Sequence, residues 1–166
     1  MKLAFREATT DERRCSCRGH PSDSDRCSLV VPLISRAYKS AHTAGLIQME
    51  DWAAIMHLQI TKMLARPNVR TILAVEATDQ NFVYGFIAGD TSRGVPVVYF
   101  VYVKEPYRKE GIARGLFGEL GVDPRRKFIY VAKTGVVAEI ARANKIPFAQ
   151  FNNNEARYPT EPRRET

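Results

Sequence analysis

Nothing in this sequence is apolar for long enough to cross a bilayer. The most apolar run, Val97 to Val103, is far shorter than the ~20 residues a spanning helix requires. The opening segment, Met1 to Arg14, meets charge before an apolar core of signal-peptide length can form. Cysteine is scarce as well. The three residues, Cys15, Cys17 and Cys27, are odd in number and confined to one stretch, which argues against a disulfide framework and suits a reducing compartment. No G-x-x-x-x-G-K-[ST] phosphate loop occurs, and no complete G-x-G-x-x-G fingerprint. A P-loop nucleotidase and a dinucleotide enzyme are therefore disfavoured, and internal repeats are missing too. The expectation is a soluble, cytoplasmic protein.

What is present fits one globular domain over residues 1–151, with a loose tail over 152–166 rich in Asn, Pro, Arg and Glu. The 166 residues carry 45% hydrophobic and 26% charged side chains, proportions that suit a packed core rather than disorder or coiled coil. The formal net charge of +7 favours polyanions, either nucleic acid or the phosphates of a nucleotide cofactor. That charge is spread along the chain, and the aromatics sit in apolar runs rather than among basic clusters, so a nucleic-acid reader is disfavoured. Cys15, Cys17, His20 and Cys27 form a possible zinc set within the polar loop 11–27. Their spacing is irregular beside the usual C-x(2–4)-C pairs, and no metal is expected.

Periodicity divides the chain into elements. Lys2 to Glu7 reads as a strand, followed by a polar loop through Arg26. Ser28 to His42 reads as a helix with Pro32 in its first turn. Glu50 to Arg66 reads as a helix on the spacing of Trp52, Ile55, Met56, Ile60 and Met63, closed by Pro67. Thr71 to Glu76 and Phe82 to Ala88 read as antiparallel strands joined by a polar turn, Thr78 to Asn81. Val97 to Lys104 is a third strand, and Gly111 to Leu120 a helix that Gly121 terminates. Lys127 to Ala132 reads as a strand, Val136 to Lys145 as an amphipathic helix, and Phe148 to Phe151 as a short last strand. This order predicts an α/β (α+β) sheet with helices on both faces.

The segment from Val97 to Leu120 carries the chemistry. A strand leads through a basic loop into a helix whose first positions are Gly111, Ile112 and Ala113. The first amides of a helix lack intrahelical partners and sit at the positive end of its dipole, so an anion is held there. Small residues let a pyrophosphate approach the backbone, and Arg108, Lys109 and Arg114 add charge.

This segment resembles the [RQ]-x-x-G-x-[GA] motif of GNAT-type N-acetyltransferases, here Arg108-Lys109-Glu110-Gly111-Ile112-Ala113. The run YVKEPYRKEGIARGLF also looks like small GNAT proteins of tailed bacteriophages, which would place the chain in a host cytoplasm. The resemblance runs from about Thr71 to Phe151. It implies a mixed, mostly antiparallel sheet flanked by helices, and a bulged central strand that splays from its neighbour. It also implies acetyl-CoA as co-substrate, with Val101 and Val103 pairing with the pantetheine amides and the amides from Lys109 to Arg114 holding pyrophosphate. Arg108 would act through its backbone position.

The catalytic half departs from the family pattern. A glutamate base found early in the central strand aligns with Val97, a tyrosine acid with Ala143, and a helix-starting asparagine with Val136. Tyr102 and Glu105 are the nearest replacements, with Tyr99 close by. Each also has a plain structural reading, as strand tyrosines and a loop carboxylate. Two functions follow: transfer of acetyl from acetyl-CoA to a primary amine of a protein or small molecule, or a catalytically weak GNAT-fold module that binds a partner protein.

Overall fold

The computed structural model describes residues 1–13, 48–92, 94–131 and 142–143. The Cys15/Cys17/His20/Cys27 set, the helix expected over Ser28 to His42, nearly all of that over Val136 to Lys145, the strand over Phe148 to Phe151 and the tail lie outside the described residues. The described elements are β1 (Leu3–Glu7), α1 (Thr10–Arg13), α2 (Met49–Leu64), β2 (Arg70–Glu76), β3 (Asp79–Asp90), β4 (Val97–Val103), a 3-10 turn (Glu105–Tyr107), α3 (Ile112–Leu120) and β5 (Ile129–Tyr130). Among the described residues no helix is long and apolar enough to cross a membrane.

The five strands lie in chain order, β1-β2-β3-β4-β5. The first four are antiparallel and β5 joins β4 in parallel. One face carries α2, whose Ile60 and Leu64 are buried with Leu73, Val75, Phe86 and Tyr99. The other carries α3, whose Ile112, Leu116, Phe117 and Leu120 meet Ile72, Ile87, Val98 and Val101. The α2 side chains of Trp52, Ile55 and Met56 lie outside the described residues. Helices on both sides of a mostly antiparallel sheet are what the element order predicts.

Two local differences from the sequence reading have physical causes. Helix α1 stands where only polar loop was expected. It is held by a capping box: the Thr9 hydroxyl accepts from the Glu12 amide at 3.2 Å, and the Glu12 carboxylate accepts from the Thr9 amide at 2.8 Å. Arg6 donates twice to that carboxylate, at 2.7 and 2.8 Å. The second difference is the β2–β3 turn. It is tight, at Ala77 and Thr78, with Glu76 in register with Asp79. Asp79, Gln80 and Asn81 are strand residues with exposed side chains. Backbone pairing needs no apolar side chain at an exposed end, so their polarity did not forbid a strand.

Bulges set which side chains face which helix. On β3, Ala74 pairs with Gly85 and Val75 with Val83, leaving Tyr84 as the extra residue. On β4, Ala88 pairs with Phe100 and Gly89 with Val98, leaving Tyr99 as the extra one. Tyr99 and Phe100 consequently both face α2, and from there Val101 and Val103 turn toward α3. Gly115 lets the Phe5 ring pack close against α3: a Cβ there would sit 2.3 Å from Phe5 Cζ and the ring would have to move. Helix α3 thus rests directly on β1.

Candidate cofactor and active site

The end of β4 and the start of α3 form one continuous device. Among the described residues, β5 is in register with Val97 and Val98, tied by the amides of Ile129 (to Pro96 O, 2.8 Å) and of the following Val131 (to Val98 O, 3.1 Å). Strand β4 runs on beyond that register to Val103. The chain then turns: the Lys104 amide donates to Tyr84 O at 2.8 Å, the Tyr107 amide to Lys104 O at 3.0 Å and the Arg108 amide to Glu105 O at 3.3 Å. Lys109 (φ 73°) and Gly111 (φ 77°) both take left-handed backbone conformations, uncommon for a lysine and natural for a glycine.

Gly111 caps α3 with no side-chain hydrogen bond, and the first turn of the helix carries no acid. The Gly115 amide opens the helical ladder by donating to Gly111 O at 3.1 Å. The amides of Ile112, Ala113 and Arg114 precede that bond at the positive end of the dipole. A Cβ built on Gly111 would meet no atom within 4 Å, so the space over the cap is open. Ile112 is buried and anchors the helix start, while Lys109, Glu110 and Arg114 are exposed around it. Arg108 is half-buried, its Nε donating to Val103 O at 3.3 Å. Its side chain lies back on β4, which leaves its backbone as the part facing the loop.

The structure therefore gathers Val101, Val103 and residues Arg108 to Arg114 at one end of the sheet. Tyr102 and Glu105 stand on different elements, β4 and the 3-10 turn. Tyr102 is half-buried on the α2 face, its ring 5.9 Å from that of Phe86. Glu105 is exposed in the 3-10 turn.

Two features escaped the sequence reading, one beside the site and one away from it. The first is an aromatic group beside the turn: the Phe82 and Tyr84 rings stand 5.1 Å apart, Tyr84 and Tyr107 4.7 Å, and Phe82 and Tyr107 6.2 Å. The Tyr84 hydroxyl donates to the Glu76 carboxylate. That bond, with burial, pushes the phenol up to about 12; the same bond, against burial and helped by the Lys2 amide, holds the Glu76 carboxyl below its ordinary range. Residue spacing hid the group because the bulge at Tyr84 resets the strand alternation. The second is Asp90, fully buried at the far end of β3. It accepts from the Asn68 side chain, from the Ser92 amide at 2.9 Å and from the Ser92 hydroxyl at 2.6 Å. These bonds make it a tie between the α2–β2 loop and the β3–β4 turn. Among the described residues no group of three or more His, Cys, Asp or Glu is placed to hold a metal ion.

No protein-family profile matches the sequence, and no curated protein aligns with it. Solved structures do match. A candidate acetyltransferase of Bacillus subtilis, YycN, superposes with a TM-score of 0.57 at 13% identity, over 93% of this chain and 98% of that one. A candidate acetyltransferase of Pyrococcus furiosus gives 0.54 at 13% identity, over 93% and 98%. A candidate GNAT-family acetyltransferase of Desulfovibrio desulfuricans matches at 17% identity with a TM-score of 0.38. This chain spans 62% of the length of that protein. The fold is thus the GNAT-like mixed sheet that the motif at Arg108 to Ala113 implied.

Proposed function

We propose that the chain is an acyl-CoA-dependent N-acyltransferase that moves acetyl from acetyl-CoA to a primary amine of a protein or small molecule. One observation carries the reading: the uncapped start of α3, with open space over Gly111 and basic side chains around it, follows directly on a bulged β4. Uncapped helix amides with room above them suit a pyrophosphate, and Lys109 and Arg114 suit its charge. In this reading Arg108, Glu110 and Ala113 shape the loop, Ile112 anchors it, and Val101 and Val103 carry the pantetheine arm.

Acetyl-CoA supplies the activated acetyl group as a thioester. Transfer forms a bond from the amine nitrogen to the acetyl carbon and breaks the carbon–sulfur bond, whose electron pair leaves on sulfur. The amine proton must be accepted and the thiolate protonated. For this chain we assign those proton movements to Glu105, exposed to solvent, and to Tyr102, acting through water. A second reading, a GNAT-fold module that binds a partner protein with weak or no catalysis, draws support from Val97. That residue is 1% exposed and gives β4 a hydrocarbon where a base would otherwise stand.

The test is a melting curve with and without acetyl-CoA, coupled to a thiol-release assay over a panel of amines. A ligand present at a hundred times its Kd adds about 2.7 kcal/mol to native stability. The transferase reading expects both a raised Tm and amine-dependent thiol release. A raised Tm with no release under any amine selects the binding module. An unchanged Tm at millimolar ligand removes the cofactor site.

A further inference from the structure

The aromatic group beside the turn offers surface that the reaction just described does not use. Phe82 is 40% exposed, unusual for a phenylalanine in a strand whose later residues are buried. Lys104 Nζ lies 4.6 Å from its ring centroid, and Tyr107 packs against its edge. The Lys104 main chain fastens this corner, donating to Tyr84 O and accepting from the Tyr107 amide. Tyr107 is followed directly by Arg108 and the left-handed Lys109, so the corner adjoins the start of α3 within a few residues of chain. An exposed aromatic ring beside a held cation matches a purine carrying a phosphate: base–aromatic stacking tolerates any base, and an ammonium pairs with the anion.

We propose that Phe82, Lys104 and Tyr107 form a subsite for the adenosine 3′-phosphate end of the co-substrate, with Phe82 meeting the base and Lys104 the 3′-phosphate. The proposal rests on the acyl-CoA reading above and assigns its far end to β3 and the turn, outside the Arg108 to Ala113 motif. It also accounts for the rigidity of the corner. Tyr84 is locked by its hydrogen bond to Glu76, so Tyr107 and Phe82 are backed by a fixed ring and little side-chain freedom remains to be lost on binding.

Calorimetric titration of the full chain with CoA, 3′-dephospho-CoA and 4′-phosphopantetheine tests it, using wild type, Phe82→Ala and Lys104→Met. Methionine keeps the aliphatic stem over the ring and removes the charge. Phe82→Ala should weaken CoA and dephospho-CoA alike, by about tenfold, and leave phosphopantetheine unchanged. Lys104→Met should erase the wild-type preference for CoA over dephospho-CoA. Melting of the apo-proteins checks that both variants fold, and phosphopantetheine binding checks that the α3 site is intact. If wild type binds CoA and both variants keep its affinity and its preference, the subsite is wrong and the acyl-CoA reading stands. If wild type binds none of the three, the acyl-CoA reading falls and takes the subsite with it.

Discussion

Gly111 answers to two different demands, and substitutions can pull them apart. Its φ of 77° disfavours any L side chain by about 1–2 kcal/mol, yet an added Cβ would touch no protein atom within 4 Å. The cost of alanine in the apo-protein is therefore torsional rather than steric. Asparagine tolerates this conformation better than alanine and should recover part of the lost stability. Ligand affinity should follow a different order. If a pyrophosphate lies over the cap, Gly111→Ala and Gly111→Asn both bring atoms into its space and both lose acetyl-CoA affinity by tenfold or more. Melting of the apo-proteins with calorimetric titration of each separates the two effects. Asparagine that restores both stability and full affinity would show that the glycine serves the backbone alone.

At the scale of elements, α1 is held by charge and so should respond to pH. The bond from Arg6 holds the Glu12 carboxyl at about 2 against a reference of 4.5; burial opposes this, and the Thr9 amide assists it. A carboxyl depressed in the folded state stabilises fully above its unfolded value, and that contribution is lost as pH falls through the folded one. Glu12→Gln can still accept from the Thr9 amide but loses the charge. It should cost about 1–2 kcal/mol at neutral pH, and the gap from wild type should close between pH 4.5 and 2. Urea midpoints at pH 7, 4 and 2.5 measure it; a gap constant with pH would show that Arg6 contributes nothing through charge.

This element also marks where the sequence was legible and where it was not. Thr9 and Glu12 spell the S/T-x-x-E capping signal, but only one helical turn follows, too short for any apolar period to register. Helix α3 was legible because Ile112, Leu116, Phe117 and Leu120 repeat at helical spacing and Gly121, at φ 84°, closes it. Gly111 was legible because its left-handed backbone, at φ 77°, favours glycine. The aromatic corner was not, since it joins β3 to a turn more than twenty residues later. Nor was the placement of Tyr102, because the bulge at Tyr99 decides which face each later β4 residue takes.

At the scale of the molecule, α2 and α3 pack on opposite faces of the sheet and, among the described residues, build a core on each. The strands of the central hairpins pack into both, so substitutions there are expected to disturb both sides. Gly85 shows how tight the join is: a Cβ at this position would lie 2.5 Å from the Tyr102 carbonyl oxygen. Placing a methyl there would push β3 from β4 where Val103 and Lys104 leave the sheet toward the loop.

The contact of Gly115 with Phe5 reaches further than packing. Helix α3 sits on β1 through that contact, and among the described residues β1 is an edge strand paired with β2. Whatever clamps the start of α3 therefore also discourages β1 from opening. Deuterium uptake by the amides of Leu3 to Glu7 should slow when acetyl-CoA is added, although those residues lie outside the proposed binding loop. Gly115→Ala makes the Phe5 ring move and should weaken that remote protection. Uptake at β1 that is indifferent to ligand, in protein shown by titration to be saturated, would mean that the strand opens independently of the helix above it.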